Sequence, residues 1–259
     1  MAFAHRQRNP CAEIPEILNP LRMKFPEILF ENEALIVLNK PAGLLSVPDR
    51  KQSSPSLKDL LIARYGQIFT VHRLDRETSG VIVFAKNAET HRWLSGIFEK
   101  REVKKIYSGL VTGALINASG LIEEPIAEHP AKNGSMMIHR KGKPAVTGFE
   151  VLEDFGRYSL VKFDLFTGRT HQIRVHMKHI GHPIVCDDLY GDGKPILVSS
   201  LKKKYKLSKS EDEERPILAR LGLHASILSF TDEDGTAFHF EAEMPKDMRA
   251  LLSQLGKNR

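Results

Sequence analysis

Short apolar runs broken by turn residues dominate the chain, and only a few stretches carry apolar positions at helical spacing. Ile28 to Phe30 and Ala34 to Leu38 flank the polar Glu31-Asn32-Glu33. This reads as strand, turn, strand, and Asn39-Lys40-Pro41-Ala42-Gly43 closes it with turn chemistry. Ser56 is placed to cap a helix through Tyr65, with Leu57, Leu60, Leu61 and Arg64 at helical spacing and Gly66 at its end. Phe69 to Gly80 is polar and charged, then passes into Val81-Ile82-Val83-Phe84-Ala85, expected to be a fully buried strand. Charged residues are thereby delivered to the edge of a rigid core element. Asn87 caps a second helix, Ala88 to Lys100, whose Trp93, Leu94, Ile97 and Phe98 form an apolar face.

From Ile106 to Phe166 strand signals recur: Ile106 to Val111, Gly120 to Pro125, Met136 to His139, Ala145 to Leu152 and Tyr158 to Phe166. Thr170 is expected to cap a short helix from His171 to Ile180, with Ile173, Met177 and Ile180 on one face and His171, Arg174 and Lys178 on another. Gly181 and Pro183 stop it. Lys194 to Glu214 holds Lys202-Lys203-Lys204 and Glu211-Asp212-Glu213-Glu214, a charge-rich excursion expected to be mobile. Leu221 to Phe230 and Ala237 to Glu243 make a hairpin about Asp234-Gly235, and Lys246 to Leu255 a closing helix. Helices inserted among strands without strict βαβ alternation predict an α+β fold, a mostly antiparallel mixed β-sheet with flanking helices. Pro10, Pro15 and Pro20 break any helix, so residues 1–24 are expected to form an extended arm on the body or a loose tail, leaving one domain over residues 25–259.

A chain of 259 residues that is 41% hydrophobic and 27% charged is neither disordered nor fibrous in composition. Its formal charge of +6 favours a polyanionic partner such as nucleic acid. Two cysteines, Cys11 and Cys186, supply neither a disulfide framework nor a thiolate metal site, which fits a cytoplasmic location. No stretch approaches the roughly 18 apolar residues of a membrane span, and the first residues lack the apolar middle of a secretory signal, so no membrane partner is expected.

Three segments carry candidate chemistry. In His72-Arg73-Leu74-Asp75-Arg76 a carboxylate stands between two arginines, which favours its ionised, acceptor-only form. By itself such a dipeptide reads as a surface ion pair. Thr167-Gly168-Arg169-Thr170-His171-Gln172-Ile173-Arg174-Val175-His176 places two arginines and two histidines at a helix start, where an anion is favoured. His171, His176, His179 and His182 invite a metal reading, but His171 and His176 are five apart and nothing completes a tetrahedral set, so no metal is expected. Arg101-Glu102-Val103-Lys104-Lys105-Ile106-Tyr107 feeds basic residues into a strand, and alternation puts Lys105, Tyr107 and Gly109 on one face. An aromatic ring beside cations suits stacking on an unpaired base.

The run VHRLDRETSGVIVFAKN, with NKPAGLLSVP before it and KKIYSGLVTG, TGRTHQIRVH, GHPIVCDDLYG and GLHASILSF after it, resembles the RluA-type RNA pseudouridine synthases in order and spacing from about Leu29 to Pro245. The resemblance implies that family's fold with a central catalytic cleft, and isomerisation of uridine in RNA without a cofactor. It implies Asp75 as the catalytic aspartate, Arg174 as the arginine that pairs with it, and Tyr107 as the tyrosine that stacks on the target uracil. Arg73 matches a residue that enters the RNA where the base has left. His72 and Leu74 are expected to be structural. Arg76, Lys104, Lys105, Arg169 and His171 complete the expected RNA-binding set. The span before Phe25 is too short for the small RNA-binding domain of many relatives, so the chain resembles the single-domain branch. Members of that branch act on large-subunit ribosomal RNA, transfer RNA or both, and no obligate protein partner is expected. Two rivals remain: an RNA-binding protein without catalysis, and a glycoside hydrolase in which Glu77 would be the second carboxylate.

Overall fold

Continuous apolar segments become the middle of one sheet. The structure, a computed structural model, describes residues 25–50, 52–202 and 214–257; the expected arm at 1–24 and residues 203–213 of the charge-rich excursion lie outside them. In chain order the elements are β1 (Glu27–Glu31), β2 (Leu35–Lys40), α1 (Leu57–Tyr65), β3 (Phe69–Thr70), β4 (Ser79–Ala85), α2 (Ala88–Glu99) and β5 (Lys104–Thr112). There follow β6 (Ser119–Ile122), β7 (Ile126–Glu128), β8 (Met136–Ile138), β9 (Thr147–Asp154), β10 (Tyr158–Leu165), α3 (Gln172–His179), α4 (Val198–Leu201), β11 (Leu223–Thr231), β12 (Ala237–Glu241) and α5 (Lys246–Lys257).

The main sheet runs β1-β2-β4-β11-β5-β10-β9-β6, with β12 added to β11 and β3 to β4. Its pairings are antiparallel except β4 with β11, so the α+β, mostly antiparallel mixed sheet read from the sequence is the observed fold.

Both faces of β2 and β4 are covered, which is why these strands read as unbroken apolar runs. Leu35, Val37, Val81 and Val83 pack with Leu94 and Ile97 of α2. Ile36, Leu38, Ile82 and Phe84 pack on the opposite face with Leu57, Leu60 and Leu61 of α1. Ser56 caps α1 in a reciprocal box with Asp59, and Asn87 caps α2 through the Thr90 amide. Ile173 and Met177 of α3 pack on Val111, Val161 and Phe163, while Leu110 faces away toward Met248, Leu251 and Leu255 of α5. Tyr107 packs against the α1-side and the α3-side clusters alike. Those two helices therefore share a face of the sheet, and the ground between them is where a cleft can open.

The parallel pairing brings His224 opposite Ser79 and Ala225 opposite Gly80. A Cβ at Gly80 would stand 2.1 Å from the Ala225 carbonyl oxygen, and its φ is +117°. Only glycine lets the chain leaving the charged loop enter the sheet this close to β11.

Three expectations change. Gly120 to Pro125 is not one strand: β6 ends at Ile122, and β7 pairs with β8 in a separate two-stranded sheet. Pro125 lacks the N–H that would continue the ladder. Phe69 and Thr70, expected in the loop, form β3 on β4. Thr170 does not cap α3; the cap is His171 in a left-handed conformation (φ 55°, ψ 22°), with no side-chain cap bond. The expected mobility of the excursion falls mostly on residues outside those described; at its described start Ile196 is buried and bonded to Leu218.

Candidate active site

The Asp75 loop is shaped by backbone bonds before any charge is considered. The Thr78 amide donates to the Asp75 carbonyl, closing a turn that holds Asp75 at its start. The Ser46 hydroxyl donates to the Leu74 carbonyl and accepts from the Leu74 amide. Lys40 and the Gly43 amide both donate to the Arg76 carbonyl, at 3.0 and 2.9 Å. Lys40 is fully buried, and Nζ also donates to the carbonyls of Pro41 and Leu44. Burial pushes its pKa down to about 7, against the pull of Glu77 and Asp75. Three carbonyl acceptors nonetheless call for three donors, which the ammonium form supplies. His72 Nε2 accepts the Val83 amide, and its ring stacks on Phe98, tying the start of the loop to β4 and α2.

A cleft of about 650 Å³ opens over this loop, lined by Asp75, Tyr107 and Arg174 together with Arg73, Arg101, Lys105, Arg169, Thr170 and His171. That volume suits a single nucleotide. Asp75 Oδ2 lies 3.5 Å from Arg174 Nη1 and 3.9 Å from His171 Nε2, and its side chain keeps 22% exposure. Arg174, expected on a polar helix face, is 5% exposed. Its Nε and Nη2 donate to the two oxygens of Asp187, each at 2.7 Å. Arg174, expected to pair with Asp75, gives its two-bonded grip to Asp187, which the Leu189 and Tyr190 amides already orient. Burial opposes the Arg174 charge, but the bonds to Asp187 and the charges of Asp187 and Asp75 outweigh it and raise its pKa. Burial first, and the Asp75 charge second, push the Tyr107 phenol upward, so it is protonated at neutral pH. Lys105 is shifted down by burial and by Arg101.

Six residues expected to bind RNA divide into two groups. Arg73, Lys105, Arg169 and His171 line the cleft. Lys104 and Arg76 do not: Lys104 lies on the other side of the β5 pleat from Lys105, and Arg76 is exposed with Nε on the Gly43 carbonyl. Glu77 does not line the cleft either and stands 3.8 Å from Arg76. The histidines scatter, with His176 on the Glu124 carbonyl and His182 on the Thr112 carbonyl. Two amides at the α3 start are turned inward, Arg169 to the Gln172 side chain and Gln172 to the Arg169 carbonyl, so the positive character there rests on side chains.

The groups that support the site are not marked in the sequence. Gln172 accepts from Thr167 Oγ1 and donates to the Val146 carbonyl and Thr147 Oγ1, fixing the entry to α3. Asp187, Tyr190, Lys40 and Ser46 lie in GHPIVCDDLYG and NKPAGLLSVP, whose presence was legible and whose roles were not.

A deep cleft that gathers a carboxylate, a buried guanidinium and a protonated phenol under a rim of cations is the working end of an enzyme acting on a polyanion. The sequence model of the family described as RNA pseudouridylate synthase matches residues 34–179. Ribosomal large subunit pseudouridine synthase D of Escherichia coli is 34% identical over 241 residues, covering 87% of this chain and 69% of the relative. The protein of the same name from Pseudomonas aeruginosa is 36% identical over 243 residues, covering 90% and 72%. Among solved structures, human RNA pseudouridylate synthase domain containing 4 superposes with a TM-score of 0.70 at 27% identity, over 89% of this chain and 93% of that one. The chain belongs to the RNA pseudouridylate synthase family and is an RNA pseudouridine synthase of the RluA type.

Proposed function

We propose that this enzyme isomerises uridine in large-subunit ribosomal RNA, with Asp75 as the catalytic carboxylate, Arg174 as its partner and Tyr107 as the ring that meets the base. The observation that carries this reading is Asp75 Oδ2 facing an open cleft, 3.5 Å from a guanidinium that Asp187 already holds. The names of the relatives support the choice of ribosomal RNA. Among the described residues no helix is long and apolar enough to cross a membrane, and a cytoplasmic location goes with that substrate.

A stacked uridine is out of reach, so the target nucleotide is extruded into the cleft, at least cost from a loop. Arg73, exposed at the rim and 3.5 Å from Thr170 Oγ1, is placed to follow the base into the strand it leaves. Lys105 and Arg169 neutralise flanking phosphates. Asp75 acts either by attacking sugar or base, or by taking a proton from the sugar as uracil departs. The bond from N1 to the sugar breaks, the base turns, and a bond from C5 forms at the same carbon. The proton on C5 is lost and N1 regains one, so atoms balance without redox change or an outside group. A protonated Tyr107 above the base can stack on it, and a hydroxyl there can pass the proton.

The test is incubation of the purified protein with large-subunit ribosomal RNA and, separately, transfer RNA, followed by nucleoside analysis. Pseudouridine should appear in the ribosomal RNA without free uracil, and Asp75→Ala should abolish it. Modification confined to transfer RNA would overturn the choice of substrate, and release of uracil would overturn isomerisation.

A further inference from the structure

Behind the cleft a line of polar groups runs from β8 to Asp75, hydrogen-bonded as far as His171. The Met136 amide donates to Tyr190 Oη at 2.7 Å, Tyr190 Oη lies 2.8 Å from His171 Nδ1, and His171 Nε2 lies 3.9 Å from Asp75 Oδ2. A backbone amide can only donate, so the phenol oxygen is an acceptor toward Met136 and keeps its own proton to give. Tyr190 is buried, and the acceptor standing in line for that proton is His171 Nδ1. Were Nδ1 protonated instead, the phenol oxygen would accept twice, and its proton would be left in a dry place without an acceptor, a cost comparable to a lost hydrogen bond. The imidazole proton is thereby assigned to Nε2, the nitrogen that faces the reactive carboxylate.

We propose that Tyr190 is a positioning residue that fixes His171 as its neutral Nε2–H tautomer, so that the histidine offers Asp75 and the substrate beside it a donor and never a lone pair. The inference rests on Asp75 being the reacting carboxylate. The rest of the surroundings agree with it. The left-handed backbone at His171 turns the ring out of the helix line and toward the cleft. The Tyr190 ring meets the imidazole edge-on at 5.6 Å, and the Arg174 guanidinium lies 5.0 Å from its centroid with Lys178 at 5.8 Å, so the phenol is held from several sides. Of the groups acting on the ring, burial, Arg174 and Arg73 favour the neutral form, while Asp75 and Asp187 oppose them; the balance is a lowered pKa. At 3.9 Å the Nε2–H is not yet bonded to the carboxylate, and such contacts tighten when a substrate closes the site.

Tyr190→Phe keeps the ring and its cation contacts and removes the proton. We expect kcat to fall about tenfold, the worth of one neutral hydrogen bond, with KM within about twofold. His171→Ala should lose at least as much, and Tyr190→Phe added to it should cost nothing more. The direct measurement is the 15N spectrum of the His171 ring, identified by its loss in His171→Gln. Nε2 should carry the proton in the wild type, and Nδ1–H should appear in Tyr190→Phe. A wild-type ring protonated at Nδ1, or losses from Tyr190→Phe that multiply with His171→Ala, would overturn the proposal. The wild-type spectrum decides it even where Tyr190→Phe fails to fold. Full turnover in Asp75→Asn would instead remove the catalytic reading, while the tautomer measurement would stand by itself.

Discussion

Arg174 meets Asp187 and Asp75 in two different ways, with the exposed Asp188 a third carboxylate 3.5 Å from Nη2. Asp187, with no exposed side-chain surface, takes two bonds of 2.7 Å from the guanidinium and two more from backbone amides. Asp75, 22% exposed, receives a single approach at 3.5 Å. A buried carboxylate held by four hydrogen bonds is support, and one that is partly exposed and loosely approached is available to an incoming group. The same arginine serves both because its planar fork offers two parallel donors to one side and a spare nitrogen to the other. A lysine could not divide itself in this way.

The comparison predicts opposite outcomes for the two aspartates. Asp75→Asn should lower turnover by at least about 1000-fold, the scale of losing a central catalytic group, with thermal unfolding unchanged. Retained turnover in that variant would erase the distinction. Asp187→Ala should cost about 3–5 kcal/mol in a denaturant titration, because it leaves a buried guanidinium without its partner. Activity should fall with the fold, since the arginine facing Asp75 is then unanchored. A stable and active Asp187→Ala would make the two carboxylates equivalent.

Tyr107→Phe sharpens the picture on the cleft side. We expect a loss of about 100-fold in kcat, within the range for a proton-transferring group, and a KM within about threefold, because the ring remains. Equal changes in both would assign the hydroxyl to binding.

The smallest effect belongs to His72, on the loop that carries Asp75. Its Nε2 accepts the Val83 amide, and burial pushes its pKa down to about 3 from an ordinary 6.5, with a smaller contribution from Lys105. Between those values only the unfolded chain binds the proton. Stability from this group is therefore complete above pH 6.5 and is lost as pH falls toward 3. Discounted for a ring that is only half-buried, the loss at about pH 5 should be ~1 kcal/mol, and His72→Gln should flatten that part of the stability curve. Parallel curves for the two proteins would show that the ring does not titrate with unfolding.

The sequence determined most of the secondary structure, and the reasons are local. Apolar runs such as Val81 to Ala85 and caps at Ser56 and Asn87 act over a few residues, so they can be read without the fold. It also marked Asp75, Tyr107 and Arg174 as separate candidates, since charge and aromatic placement are written in the chain. Where those signals fell short, a contact distant in sequence had intervened. The cap of α3 moved from Thr170 to His171, and the described start of the 194–214 excursion is tied to Leu218. Of Lys104 and Lys105, the strand alternation already legible in the chain sends only Lys105 to the cleft with Tyr107. The tertiary structure alone decided that a turn at residues 40–46 grips the Asp75 loop and that Asp187, not Asp75, takes two hydrogen bonds from Arg174. Hydrogen bonds between buried groups far apart in the chain leave no periodic trace in sequence, because their partners are chosen by the path of the backbone.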